Sequence, residues 1–385
     1  MVYLDYAAAT PLSKKAKQAM LPYFDEKFFN PSAAYLPAVE TRKDYERAKD
    51  EIAHVIGAKG VDLVMTSGAT EANSLVFASV AEDAEVLISA VEHPSVLENA
   101  KRRNWQTVSV DQTGRIDIED FKKKLSPNTQ LVSICLASSE LGTVQPLSDI
   151  ARIVNDERQR RALAGEKTPL YFHSDASQGL GLMEVKVSRL GVDMMTINAA
   201  KVYGPKGIGA LYVGHNVRLK PQNYGGGQEM GLRSGTENVP ATIAFAAAIT
   251  DAEKHINSER KRLAALRDDL RKKLIAGLGE ENIIFHGKVK TQLANFLPLS
   301  IPGLDAERLI FALEDKGVYL STGAACAASK GEKSPTLKAI GLKDDEIAGS
   351  LRVTLGRPTT EKDIDEAADA IIAVVKSERE RLATK

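Results

Sequence analysis

MMTINAAKVYGPKGIGALYV occupies residues 194–213, and its reading decides how the rest of the chain is understood. The two ends, MMTIN and GALYV, are short runs that are apolar along almost their whole length. Strands buried on both faces of a sheet have that appearance. The glycine-rich stretch between them carries two lysines. Lys206 lies between Pro205 and Gly207, where exposed backbone is expected and solvated decoration is a sufficient account. Lys201 lies three residues past the end of a strand, on the edge where open parallel sheets bind their ligands. A lysine close to apolar strands can lose part of its proton affinity and become a nucleophile.

The same pattern recurs on the N-terminal side. DLVMTS (62–67), EVLISA (85–90), QTVSV (106–110), QLVSICLA (130–137) and LYFHSDA (170–176) all read as strands. Amphipathic stretches such as DIEDFKKKL (117–125) and PLSDIARIVNDERQRRALA (146–164) lie between them. The alternation predicts an α/β fold, with a mostly parallel central sheet covered by helices on both faces. After Pro240 a long helix-permissive run leads to LANFLPLSI (293–301), GVYLST (317–322) and SLRVTLG (350–356), separated by helical segments. We therefore expect a large α/β domain over 12–248, with a smaller α+β domain formed by 1–11 and 249–385.

Composition limits the function classes. The 385 residues carry 51 Lys+Arg against 51 Asp+Glu, so no global field favours nucleic acid or an anionic membrane. Direct nucleic-acid binding and membrane association are not expected, and no run reaches the roughly 18 apolar residues of a membrane helix. The opening MVYLDYAAATP does not read as a signal peptide, and 2 cysteines cannot form a disulfide framework. A cytoplasmic protein is the expectation.

Several strand ends carry chemistry. After DLVMTS comes GATEAN, in which Ala69 and Thr70 open a helix. Free N–H groups there suit a phosphate, although a plain strand-to-helix turn has the same sequence. His93 follows EVLISAVE, with Pro94 suited to a first helical turn. Asp175 ends LYFHSD, with Gln178 close behind; capping alone would also explain the aspartate. Taken together, a phosphate site, an aromatic base, an aspartate and a lysine on one sheet edge fit pyridoxal 5'-phosphate.

At this point the chain resembles the cysteine desulfurases of the Isc/Nif type, class-V aminotransferase-like enzymes of pyridoxal-phosphate fold type I. The motifs are VYLDYAAATP, TSGATEAN, EHPSVLE, HSDASQ, YGPKGIGALYV, GGGQEMGLRSGTEN, STGAACAAS and SLRVTLGRPTTEKDID, in that order along nearly the whole chain. The resemblance implies conversion of L-cysteine to L-alanine, leaving a persulfide on Cys326. It makes Lys201 the residue that binds the cofactor aldehyde and later moves the Cα proton, and it stacks His93 on the ring. Asp175 would pair with the pyridine nitrogen and Gln178 with the ring oxygen. Ala69, Thr70 and Asn198 would lie at the phosphate, and Thr236 would reach the phosphate of a partner subunit in a homodimer. Arg352 would clamp the substrate carboxylate, with Ser139 beside it; without the resemblance, Arg352 reads as a surface ion pair and Cys326 as an incidental thiol in a linker. An Fe–S scaffold or a sulfur-carrier protein, or tRNA thiolation, would receive the sulfur.

Three departures accompany the resemblance. Asn198 and Ala200 stand where the family has a serine and a histidine near the phosphate, which predicts weaker cofactor retention. Ser138 and Ser139 replace two asparagines. Leu36 and Val39 replace a histidine and a glycine. Another reaction on the same cofactor (selenocysteine lyase or aminotransferase-like), or a non-catalytic homologue, are the competing readings.

Overall fold

Seven strands make up the main sheet in the computed structural model, which describes residues 1–323 and 333–384. After a two-residue strand β1 (Val2–Tyr3), these are β2 (Leu63–Thr66), β3 (Glu85–Ser89), β4 (Asn104–Val108), β5 (Thr129–Ser133), β6 (Tyr171–Asp175), β7 (Met194–Asn198) and β8 (Gly209–Val213). Their order is β2-β8-β7-β6-β5-β3-β4, and every neighbouring pair is parallel except the two made by β8. The opening stretch of sequence is therefore the sheet's antiparallel return. Parallel pairing needs a crossover of a dozen or more residues, and the link from β7 to β8 is shorter.

Alternation within each strand explains why the sheet is buried on both faces. Leu87, Val132, Met195 and Ile197 point into one core with Ile52, Phe121 and Phe172. Their neighbours Val86, Ile88, Leu131 and Met194 join a second core with Val64, Val76 and Leu211 on the opposite face. Helices α1 (Lys14–Met20), α2 (Leu36–Ile56), α3 (Ala69–Phe77), α4 (Pro94–Ala100), α5 (Ile118–Lys124), α6 (Leu147–Leu163) and α7 (Val187–Leu190) fill the connections.

A single helix, α8 (Val239–Leu278), serves two cores. Val239, Ala241, Phe245, Ile249 and Ala252 pack under the main sheet. Leu263, Leu266, Leu270 and Leu274, at spacings of three and four, pack in a separate core with Leu299, Val353 and Ile371. That core lies against a second sheet of four antiparallel strands, β9 (Ile284–Phe285), β10 (Phe296–Ser300), β12 (Ser321–Thr322) and β13 (Ser350–Thr354). β1 pairs in parallel with β11 (Val318–Tyr319), which fixes the N-terminus to this part of the molecule.

Two glycines shape the turn from β2 into α3. Gly68 has φ 149°, a value that L side chains rarely adopt. Gly209, at the start of β8, lies so close that a Cβ there would come within 2.9 Å of the Gly68 Cα and 2.8 Å of the Ile197 carbonyl. The close backbone approach sets where the N-terminus of α3 meets the sheet edge.

Candidate active site

The carboxyl ends of β2, β3, β6 and β7 converge on two adjoining cavities. The smaller, of about 160 Å³, is lined by residues that include Ala69, Thr70, Asp175, Gln178, Asn198 and Lys201. The larger, of about 750 Å³, adds Ala7, Ala8, Glu92, Glu140 and Arg352. His93, Ser139, Gln178 and Lys201 border both. Most of the site expectations thus fall within one place.

Thr236 lines neither cavity; it is exposed on the loop before α8. Leu36, at the start of α2, and Val39 also lie outside both. Cys326 lies outside the described residues.

Each side chain is held by local structure. Asp175 ends β6, and its Oδ1 accepts the Ser177 N–H at 3.0 Å. Its Oδ2 accepts Nδ2 of Asn73, a fully buried residue of α3, at 2.9 Å. Lys201 closes a short 3-10 turn after β7, capped by Asn198, whose Oδ1 accepts the Ala200 N–H at 3.2 Å. The cap commits the Asn198 oxygen and leaves its amide nitrogen for a ligand. Thr10 brackets the same turn, donating from Oγ1 to the Ala200 carbonyl at 3.0 Å while accepting the Tyr203 N–H at 2.8 Å. Lys201 Nζ donates to the carbonyls of Ala7 and Ala8 at 2.7 and 2.6 Å. Gln178 Nε2 donates to the same Ala7 carbonyl at 3.0 Å, so here it holds the N-terminal segment.

His93 is the N-cap of α4, and its Nδ1 accepts the Ser95 N–H at 3.1 Å. Burial lowers its pKa; the nearby Asp175 carboxylate opposes that, and Lys201 and Arg352 reinforce it. Next to it, Glu92 is buried, with Oε1 accepting Ser89 Oγ at 2.5 Å and the Cys135 N–H at 2.7 Å. Its Oε2 has no partner among the described residues, and burial pushes the carboxyl up to about 8. Cys135 is a buried thiol, whose pKa burial raises. Arg352, on β13, is 7% exposed. Its Nη2 pairs with Asp5 at 2.7 Å and its Nη1 donates to the Ser139 carbonyl at 3.0 Å, while Nε has no partner among the described residues.

The residues present fit pyridoxal phosphate. The Ser177 hydroxyl, beside Asp175 at the smaller cavity, is buried without a partner among the described residues. The N-terminus of α3 receives no side-chain cap, so its first N–H groups can face an anion. An amine, a hydrogen-bonded carboxylate and an imidazole border the same space.

The chain belongs to the class-V aminotransferase family, whose model matches residues 2–367. It is 38% identical to cysteine desulfurase IscS 1 of Archaeoglobus fulgidus, over 98% of this chain and 97% of that protein. Identity to the cysteine desulfurase of Homo sapiens is 33%, over 98% and 82%. The solved structure of a NifS-like protein matches with a TM-score of 0.88 at 30% identity, over 97% of this chain and 99% of the other. A structure described as SspA in complex with cysteine matches with a TM-score of 0.76 at 28% identity, over 92% and 99%. The expected fold class, an α/β transferase of type I with a mostly parallel sheet, is the one found.

Asn73, Ser95, Glu92 and Asp5 are the residues that sequence reasoning missed. Asn73 could have been found, because it follows Thr70 by three positions and so shares its helix face. Asp5 could not, since it meets Arg352 across 347 residues of chain.

Proposed function

We propose that this enzyme is a pyridoxal-phosphate-dependent cysteine desulfurase that converts L-cysteine to L-alanine and leaves the sulfur as a persulfide on Cys326. The observation that carries the reading is the meeting of Lys201, Asp175, His93 and Arg352 around two joined cavities, in a chain so similar to named cysteine desulfurases. When bound, the cofactor supplies an aldehyde for an amine and an electron sink for charge developing at the substrate Cα.

The protein's residues do the rest. The N–H groups at Ala69 and Thr70, the Thr70 hydroxyl and the Asn198 amide would hold the phosphate, and Asp175 would keep a proton on the pyridine nitrogen. His93 would stack on the ring, and Gln178, which here holds the Ala7 carbonyl, would hold the ring oxygen. Lys201 Nζ carries the Cα proton. Arg352, whose Nε has no partner among the described residues, holds the substrate carboxylate as a planar donor matched to a two-oxygen acceptor, with Ser139 alongside. The Cys326 thiolate attacks the substrate sulfur; an S–S bond forms as the Cβ–S bond breaks, and the carbon chain leaves as alanine after protonation.

A homodimer in which Thr236 completes the partner's phosphate site is part of this proposal. So are a cytoplasmic location and delivery of sulfur to an Fe–S scaffold or a carrier protein.

The test is to purify the protein with pyridoxal phosphate, add cysteine, and follow the visible spectrum together with alanine and sulfide. The expected result is a cofactor band that shifts with cysteine, alanine formation that disappears in Lys201→Ala, and loss of persulfide in Cys326→Ser. A stable cofactor band without alanine would overturn the substrate assignment.

A further inference from the structure

We infer that Asn73 and Ser95 are positioning residues, forming a buried bridge that ties His93 to Asp175 and sets where the imidazole carries its proton. The bridge is continuous. Asn73 Nδ2 donates one hydrogen to Asp175 Oδ2 at 2.9 Å and the other to Ser95 Oγ at 2.8 Å. Ser95 Oγ lies 2.8 Å from His93 Nδ1, and the Ser95 N–H donates to that nitrogen at 3.1 Å.

Donor and acceptor chemistry fixes every proton in this chain of bonds. A carboxylate only accepts, so the amide nitrogen of Asn73 must face Asp175. Both Asn73 hydrogens are then used, and the Ser95 oxygen is an acceptor towards Asn73. Its own O–H is free to donate to Nδ1. Two donors meet Nδ1, so that nitrogen is bare and the neutral imidazole holds its proton on Nε2. Protonating Nδ1 would set its hydrogen against the Ser95 N–H and force the Ser95 hydroxyl to turn its own hydrogen away and accept instead, so the bridge opposes the charged imidazolium.

Asn73 is an uneconomical choice as a mere packing residue. It is 0% exposed, and its Oδ1 has no partner among the described residues. A leucine, branched in the same way, would bury no unsatisfied carbonyl. The donors of Asn73 account for its place, one turn inside the helix whose N-terminus faces the phosphate site.

The inference rests on the proposed function only for what His93 and Asp175 do towards the cofactor. Asp175, Lys201 and Arg352 act on His93, and Glu92, Glu140, Lys101, Lys338 and Cys135 also line the cavities it borders. The experiment leaves all of them unchanged. Ring nitrogens of ¹⁵N-histidine-labelled protein would be followed by NMR across pH without cofactor, with the His93 signal assigned from its absence in His93→Gln. The cofactor-loaded protein would be titrated by visible absorbance, with no amino acid added.

The wild type is expected to show a neutral Nε2–H tautomer at His93. Ser95→Ala should raise the His93 midpoint by roughly half to one pH unit and leave the cofactor band unchanged. Asn73→Leu should raise the same midpoint and also move the pH dependence of the cofactor band, because it strips a donor from Asp175. Asn73→Ser should restore part of either effect.

If Ser95→Ala and Asn73→Leu lower only the melting temperature, with the His93 titration as in wild type, the inference falls. Should Asn73→Leu fail to fold, an unmoved His93 midpoint in Ser95→Ala is enough to overturn it. Failure to turn cysteine into alanine would count against the proposed function alone, since neither readout uses a substrate.

Discussion

At the scale of single residues, the site depends on groups whose hydrogen bonds are left incomplete. Arg352 spends two of its nitrogens on Asp5 and the Ser139 carbonyl and keeps a buried Nε without a partner among the described residues. Lysine at that position could hold Asp5 as a point charge but could not present a planar pair of donors. Arg352→Lys should therefore raise KM for cysteine by roughly tenfold or more, for the loss of about 1.5–3 kcal/mol of charge-assisted bonding, and should affect kcat less. Steady-state kinetics at saturating cofactor would check it. Glu92 gives a prediction of the opposite kind. Its folded carboxyl is pushed up to about 8, above the ordinary value of 4.5, so the folded state binds the extra proton between those two values. That stabilising contribution is complete below the ordinary value and disappears as pH rises towards about 8, at about 1.4 kcal/mol per pH unit. Melting curves from pH 5 to pH 9 should show wild-type stability falling on this account, and Glu92→Gln should flatten the slope.

Among the elements, α8 is the one that joins the two halves mechanically. Its first part packs under the main sheet and its second part in the smaller core, and the exposed residues between, Ser258 among them, belong to neither. A proline at Ser258 would remove a helical hydrogen bond and clash with the preceding turn, a cost of about 3 kcal/mol. We expect Ser258→Pro to separate unfolding into two calorimetric transitions, one for each core. A single transition at lower temperature would show that the cores are coupled by other contacts, such as Arg357 with Asp251. The short elements α3 and β7 act differently, as mounts. Their ends place Ala69, Thr70 and Lys201, with Asn73 one turn into α3, and their positions follow from the close approach of Gly68 and Gly209.

Across the whole molecule, the site belongs to both halves: the main sheet supplies Lys201, Asp175 and His93, and the second sheet supplies Arg352. A ligand bound there should stabilise the entire fold. Pyridoxal phosphate at about 100 times its Kd should add about 2.7 kcal/mol, read as a dose-dependent rise in melting temperature. Lys201→Ala should shrink that rise and leave a remainder from the phosphate and ring contacts. If Ala200 and Asn198 weaken phosphate binding as their residue types suggest, the dose needed will be correspondingly high.

By itself the sequence determined the α/β class, since the runs around Leu87, Val132 and Met195 are apolar at successive positions and can be satisfied only by burial on both faces. It also determined which strand ends carry chemistry, because Lys201, Asp175 and His93 each lie at, or within three residues of, the end of an apolar run. The partners of those residues were decided only by the tertiary structure. Asp5 reaches Arg352, Thr10 brackets the Lys201 turn, and Asn73 bridges Ser95 and Asp175, all across chain separations that leave no periodic trace. Periodicity records which face of an element is buried. Which buried donor meets which acceptor is settled when the elements pack, because an unpaired polar group in the interior costs more than almost any local preference can offset.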